Sequence, residues 1–357
     1  LYTYSNHVHL STDEGHSWET ISPDLTRNDK SKLVSSGGPI TQDNTGVEYY
    51  ATIFAVDESP LQEGLIWVGS DDGLIHLTKD GGATWENVTP KKMPDWMMIN
   101  SIDASSFDSG TAYIAGTRYK LGDFTPYLYV TDDYGKNWKL ITDGIKDEHF
   151  TRVLRSDKVN KNILYAGTET GMYISYDRGN SWNEFQKNLP IVPITDLTIK
   201  DNSLIVATQG RSIWMIDDLT VFHQLTPSTD QIKLYKPKDS YRMGGAGGRK
   251  SLTAGTNLPN GAIIHYFIPN YDKENDQVSL SIHSADGTLI KEFSDKSKEN
   301  LLKVKNGGNS FVWNMKYPGA KRLDNMVLWG ADFTGAKAVP GNYIVKLKVN
   351  DTELTQE

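Results

Sequence analysis

The chain has 357 residues, 38% hydrophobic and 23% charged, so it can bury a core and is not globally disordered. Lysine and arginine number 37 against 45 aspartate and glutamate, a net charge of −8, and no basic stretch stands out, which argues against nucleic acid or an anionic membrane as partner. Cysteine is absent, which excludes disulfide scaffolds, thiolate zinc sites and cysteine nucleophiles, and no apolar run is long enough for a transmembrane helix.

The chain enters directly into strand-like alternation at Tyr2-Thr3-Tyr4 and Val8-His9-Leu10. Its last residues, Asp351 to Glu357, read as the second arm of a hairpin, and the expectation is a fragment of a longer polypeptide. Next comes Ser11-Thr12-Asp13-Glu14-Gly15-His16-Ser17-Trp18, the first of four copies of one pattern: Ser or Thr, any, Asp, any, Gly, any, any, Trp. The others run from Thr78 through Asp80 and Gly82 to Trp85, from Thr131 through Asp133 and Gly135 to Trp138, and from Ser175 through Asp177 and Gly179 to Trp182. The Asp-to-Asp spacings are 67, 53 and 44 residues. Internal repetition of this kind outranks any local signal. The chemistry is that of a hairpin turn. The Asp carboxylate accepts from backbone N–H groups of its own loop, the Gly allows a positive φ, and the Trp starts the next strand and buries a large face between repeats. All four Asp and all four Trp are therefore read as structural.

Each motif follows short strand-like runs, such as Leu65-Ile66-Trp67-Val68-Gly69 and Leu74-Ile75-His76-Leu77, with another run upstream, Tyr50 to Val56. Each unit is thus four short antiparallel strands, A to D, over some 40–50 residues, which is a propeller blade. A last unit, Ile194 to Leu225, has strands at Asp196–Ile199, Leu204–Ala207, Ile213–Ile216 and Val221–Leu225, with Asp217-Asp218 at the turn in place of the motif. The expected fold is all-β: residues 1–226 form propeller blades, four full ones plus a leading C–D hairpin at 1–22 that lacks A and B strands. The rest of the ring is expected from a missing N-terminal part or another chain, because a propeller protects its edges by closing.

Residues 227–258, with Gly244-Gly245-Ala246-Gly247-Gly248, read as a linker. Strands resume at Ala262–Ile268 and Val278–Ile282, and Ala285-Asp286-Gly287 leads into Leu289–Phe293, a strong hairpin signal. Asn309–Met315 and Gly341–Leu347 follow, so 259–357 is expected to be an immunoglobulin-like or fibronectin-like sandwich.

The four motifs resemble the BNR, or Asp-box, repeats of sialidases, xyloglucan-degrading enzymes and sortilin-like VPS10 propellers. Closer still is the resemblance to bacterial extracellular proteins of sortilin-like or glycosyl-hydrolase-like type, common among Bacteroidetes. It is carried further by Ile21-Ser22-Pro23-Asp24-Leu25-Thr26-Arg27, Val68-Gly69-Ser70-Asp71-Asp72-Gly73, Tyr165-Ala166-Gly167-Thr168-Glu169-Thr170-Gly171 and Ala207-Thr208-Gln209-Gly210-Arg211-Ser212-Ile213-Trp214. It covers about 1–226 and implies a secreted, periplasmic or cell-surface protein associated with the outer membrane, within a larger assembly there. An Asp box specifies fold more than activity. Animal sortilins carry a Cys-rich module that this chain lacks, and the arginine triad and Tyr/Glu pair of sialidases do not assemble here. Gln209 stands where related bacterial chains are expected to have His.

In a propeller the D-to-A and B-to-C loops share one face, where ligands bind, and the Asp boxes lie on the other. The first face presents Asp24, Arg27, Glu48, Tyr49, Trp96, Met97, His149 and Phe150 from D-to-A loops, and Asp71, Asp72, Arg118, Tyr119, Asp123, Glu169 and Arg211 from B-to-C loops. The longest B-to-C loop is read as Arg118 to Pro126. Aromatic faces beside carboxylates and guanidinium groups suit glycan or peptide recognition, so Arg118, Tyr119, His149, Arg211 and Trp96 are the ligand-binding candidates. Hydrolysis of a glycosidic bond needs two carboxylates across a cleft, and Glu48, Asp123 and Glu169 are the catalytic candidates. The pairs Asp71-Asp72, Asp132-Asp133 and Asp217-Asp218 supply oxygens that suit calcium, but no spacing matches an EF-hand and no metal or other cofactor is assigned. The leading expectation is a binding module for a glycan, peptide or protein. The alternatives are a glycoside hydrolase and a structural spacer.

Overall fold

The computed structural model describes every residue except 36, 38, 39, 41, 43–48, 226–229, 243–257, 322–324, 328 and 331. It divides into two units, Leu1–Ile216 and Asp217–Glu357. The boundary therefore lies ahead of the expected one at 226.

Unit one is a series of antiparallel meanders. The first sheet holds β1 (Tyr2–Tyr4), β2 (Val8–Leu10) and β3 (Glu19–Thr20). Three four-stranded sheets follow: β4 (Ile53–Glu58) to β7 (Glu86–Asn87) through β5 (Ile66–Ser70) and β6 (Ile75–Thr78); β8 (Met98–Ala104), β9 (Ala112–Arg118), β10 (Asp123–Thr131) and β11 (Lys139–Leu140); and β12 (Thr151–Ser156), β13 (Leu164–Thr168), β14 (Gly171–Ser175) and β15 (Asn183–Glu184). A three-stranded sheet, β16 (Ile194–Lys200), β17 (Ser203–Thr208) and β18 (Ile213–Ile216), ends the unit. These sheets are propeller blades, numbered one to five below.

Two expectations change. The leading unit is not a hairpin, because Tyr2–Tyr4 pairs along Val8–Leu10 as a third strand. Among the described residues blade five has no fourth strand, because Val221 to Gln224 fall in a short helix, α1 (Thr220–Gln224). The Asp218 carboxylate accepts from the Thr220 N–H at 2.9 Å, an Asx turn that starts helical rather than extended backbone. There are thus three full blades among the described residues, flanked by a three-stranded sheet on either side.

Neighbouring blades share cores. Trp67, Ile75 and Leu77 of blade two pack with Met97, Ile99 and Ile114 of blade three. Tyr113, Leu128 and Val130 of blade three pack with Leu154, Leu164 and Ala166 of blade four. Trp67 is fully buried. Each such side chain contributes about 1.5–3 kcal/mol by leaving water.

Unit two holds two antiparallel sheets. One is β19 (Lys233–Leu234), β20 (Ala262–Ile268) and β23 (Gly307–Trp313); the other is β22 (Leu289–Ser294), β21 (Val278–Ser284), β24 (Tyr343–Val349) and β25 (Thr352–Gln356). Alternation sends Val278, Leu280 and Ile282 inward to meet Ile264, Tyr266, Trp313 and Leu347 in one core, which makes a β-sandwich. The turn at Ala285-Asp286-Gly287 joins β21 to β22 as the sequence suggests, with Gly287 at φ 86°. The glycine cluster at 244–248 lies outside the described residues. No helix among the described residues is long and apolar enough to cross a membrane.

Candidate functional site

The four Asp boxes have one geometry. Asp13 Oδ1 accepts from the Ser17 N–H and the Ser11 hydroxyl, both at 2.8 Å, while its Oδ2 accepts from the Ser17 hydroxyl at 2.6 Å. Asp80 takes the same three bonds from Thr84 and Thr78, Asp133 from Asn137 and Thr131, and Asp177 from Ser181 and Ser175. Hydrogen bonds from Ser17 and Thr84 hold the Asp13 and Asp80 carboxyls down at about 2. These carboxylates are spent on their own turns. The donor directly before each Trp (Ser17, Thr84, Asn137, Ser181) is part of the motif, a position that the sequence pattern left open although all four copies fill it with a hydrogen-bonding side chain.

Two ends of the blades can be told apart by their bonds. The box of each four-stranded blade touches an A-to-B loop: Gly81 N–H donates to Gly64 O, Tyr134 to Gly110 and Arg178 to Asn162. At the opposite end, B-to-C turns bind the residue ahead of strand A: Asp71 N–H donates to Thr52 O, Glu169 to Phe150 and Gln209 to Pro193.

At that second end every inner strand is bulged at the same place. Ile53 pairs with Ser70 and Ala55 with Gly69, so Phe54 is the extra residue of β4. Asn100 is the extra residue of β8, Arg152 of β12 and Thr195 of β16. A bulge re-aims one side chain without ending the strand. All four bulged residues line one cavity of about 450 Å³, together with Tyr4, Ser101, Arg155 and Asp196. Phe54 and Tyr4 are 46% and 44% exposed. Arg155 is fixed there by the Ser101 hydroxyl at 2.5 Å and Asp196 at 2.9 Å.

None of the described candidate residues lines this cavity; Glu169 reaches it through its bond to Arg152. Asp123 Oδ2 is held by Arg118 Nη1 at 2.5 Å and by the Tyr127 hydroxyl at 2.9 Å. Burial pushes its pKa up, but the bonds from Thr125, Tyr127 and Arg118 outweigh burial and hold it low. Glu169 accepts from Arg152 Nε at 2.5 Å. Tyr119 stacks on Phe150 with ring centroids 5.5 Å apart, Phe124 lies 5.9 Å from Phe150, and the Arg152 guanidinium sits over both Phe150 and Tyr119. Trp96 meets Tyr50 edge-on at 5.1 Å, under the cations of Arg27 and Lys32. His149 Nδ1 meets the Tyr173 hydroxyl at 2.8 Å; burial and Lys146 hold its pKa down. Arg211 is exposed and donates to Gly210 O. The loop from Arg118 to Pro126 is shorter than expected, since β10 starts at Asp123 and only a 3-10 turn, Tyr119–Leu121, and Gly122 separate the strands. Glu48 lies outside the described residues.

Asp71 and Asp72 are buried turn-formers. Asp71 accepts from the Thr52 N–H, and Asp72 accepts from the Ser70 hydroxyl and the Arg27 N–H. Burial raises the Asp71 carboxyl to about 6. Asp132 binds Thr111 and Arg178. Among the described residues, no three carboxylates or imidazoles gather as a metal site.

A family model described as sortilin, neurotensin receptor 3, matches residues 126–243, about a third of the chain. No curated protein matches the chain. Among solved structures, the chain is similar to YCF48 bound to D1 peptide, at 20% identity and a TM-score of 0.37, with 46% of this chain and 51% of that one covered. It is similar to the GH74 xyloglucanase from Xanthomonas campestris, at 16% identity and a TM-score of 0.45, with 61% of this chain and 34% of that one covered. It is also similar to the extracellular domain of a hybrid two-component system from B. thetaiotaomicron, at 10% identity and a TM-score of 0.36, with 100% and 43% covered. The chain thus spans between about a third and a half of the length of these structures, and what it shares with the matched family is a sortilin-like propeller segment.

Proposed function

We propose that the chain is a binding module of an extracellular or cell-surface protein, and that it takes a glycan or peptide at the axial cavity and the loop face around it. The observation that carries this is the bulge ring: four inner strands each turn one residue, Phe54, Asn100, Arg152 and Thr195, into one cavity. Arg118, Tyr119 and Trp96 extend the same surface outward, and Arg152 links the two. The carboxylates expected to hydrolyse a glycosidic bond support binding rather than turnover, since Asp123 and Glu169 are each locked to a guanidinium group. The exposed Trp18 indole supports the further reading that the ring takes more blades, from the same polypeptide or another chain. The test is a glycan and peptide array with the chain and with Phe54→Ala/Asn100→Leu. The expected result is a ligand bound by the first and lost by the second. Hydrolysis of a polysaccharide that disappears in Glu169→Gln would replace this reading with the glycoside hydrolase.

A further inference from the structure

We propose that the axial cavity selects an uncharged, polyhydroxylated ring, the chemistry of a pyranose unit, and that the four bulged residues make the selection. The inference rests on the cavity being a ligand site and adds what the ligand is.

Charge comes first. The cavity contains two guanidinium groups, which alone would favour an anion. Both are already matched, Arg152 by Glu169 and Arg155 by Asp196. An anionic ligand would have to displace a carboxylate that stays tethered beside it, whereas a neutral ligand leaves both pairs intact.

The apolar surface comes next. Phe54 and Tyr4 are large aromatic side chains left about half exposed on the cavity wall. Aromatic faces offer contact area to a flat apolar partner, and the C–H face of a pyranose is one.

The remaining polar groups present both signs. Asn100 lines the cavity and its side-chain oxygen is buried without a hydrogen-bond partner, so the amide brings unused hydrogen-bonding capacity to the site. The Thr195 hydroxyl gives its proton to Ala207 O and so keeps lone pairs as acceptors. A ligand hydroxyl both donates and accepts, and therefore satisfies Asn100 and Thr195 with one kind of group. The volume, about 450 Å³, falls in the range of small-molecule sites.

The test is ligand-observed NMR and calorimetry with the whole chain. The neutral probes are cellobiose, maltose and lactose; the charged probes are glucuronic acid, sialic acid and glucosamine. At least one neutral sugar is expected to bind, and Phe54→Ala and Asn100→Leu are each expected to weaken it about tenfold or more, as for a residue at the centre of a site. Circular dichroism checks that the variants fold. The assignment is overturned if no neutral sugar binds, if a charged probe binds more tightly, or if both variants bind like the parent. A charged or peptide ligand lost in the same variants would sink the pyranose assignment and keep the cavity as the site. No ligand of any class would sink both.

Discussion

The indole N–H of Trp85 donates to the carbonyl of Ile21 at 3.0 Å, a bond between blade two and the residue that follows the outer strand of the first sheet. The relationship repeats: Trp138 donates to Val88 O at 2.8 Å and Trp182 to Ile141 O at 2.7 Å. The box glycine of the same turn meets the same residue. A Cβ at Gly82 would come within 2.5 Å of Ile21 O, one at Gly135 within 2.6 Å of Val88, and one at Gly179 within 2.6 Å of Ile141. Among the described residues no blade packs on the first copy, and Trp18 is 45% exposed while a Cβ at Gly15 would meet only Trp18.

Replacing the tryptophans should therefore separate the copies. Trp138→Ala and Trp182→Ala are expected to cost about 3–5 kcal/mol, the usual range for removing a large aromatic from a packed site. Trp138→Phe keeps much of the area, loses the hydrogen bond and should cost about 1 kcal/mol for that bond. Trp18→Ala should stay within about 0.5 kcal/mol of the parent in the same chain. Urea midpoints at constant slope check this, and equal losses at Trp18 and Trp138 would sink it.

The glycines should divide in the same way. Gly15, Gly82, Gly135 and Gly179 all have positive φ, between 79° and 105°. Alanine at Gly15 bears the conformational cost alone, about 1–3 kcal/mol. At Gly135 and Gly179 it also collides with Val88 or Ile141, so these variants should unfold at clearly lower temperature than Gly15→Ala. Calorimetry of the variants gives the order.

Acid titration should show two opposed effects. The Asp13 and Asp80 carboxyls sit at about 2 in the fold, below their unfolded value, so they stabilise above that value and the contribution is lost as pH falls from about 4 to 2. Asp57 runs the other way. Burial raises it to about 6, although the Ala104 N–H bonds its Oδ2 at 2.7 Å. The folded state holds that proton more tightly, so stability falls as pH rises from about 4 to 6, by about 3 kcal/mol. Asp57→Asn keeps an acceptor for Ala104 and should flatten the curve in that window. An unchanged curve would reject the assignment.

Asp123→Ala should act on stability and leave no catalytic signature. It frees Arg118 and Tyr127, and the pair is partly exposed, so a loss of about 1 kcal/mol is expected. Unfolding curves measure it; a polysaccharide-cleaving activity abolished by this change would contradict the binding reading.

The Asp boxes were legible because four copies repeat both residue type and spacing, and the turn they imply is local chemistry. The polar side chain before each Trp was equally visible, and comparing the four copies column by column would have found it. Phe54, Asn100, Arg152 and Thr195 were not legible. A bulge is a property of how β4 pairs with β5, and nothing in Ile53-Phe54-Ala55 distinguishes it from straight alternation. Asp123 and Glu169 looked like reacting groups because their guanidinium partners come from elsewhere in the fold or from across a turn. Analogy with the other blades suggests a strand at Val221–Leu225, although Val221 and Leu225 stand at helical i, i+4 spacing; the Asx turn at Asp218 starts the helix.

In blades two to four the bulge and the box lie at opposite ends of the blade, the bulge near the start of the first strand and the box after the third. The boxes fasten blades two, three and four each to the one before through residues that hardly vary among the copies, whereas the bulge position carries a phenyl ring, an amide, a guanidinium group and a hydroxyl in turn. On the proposed binding reading, recognition would be written one letter per blade, at a position that makes none of the box bonds. A molecule of that design would change its ligand by single exchanges at the axis while its architecture stays as it was.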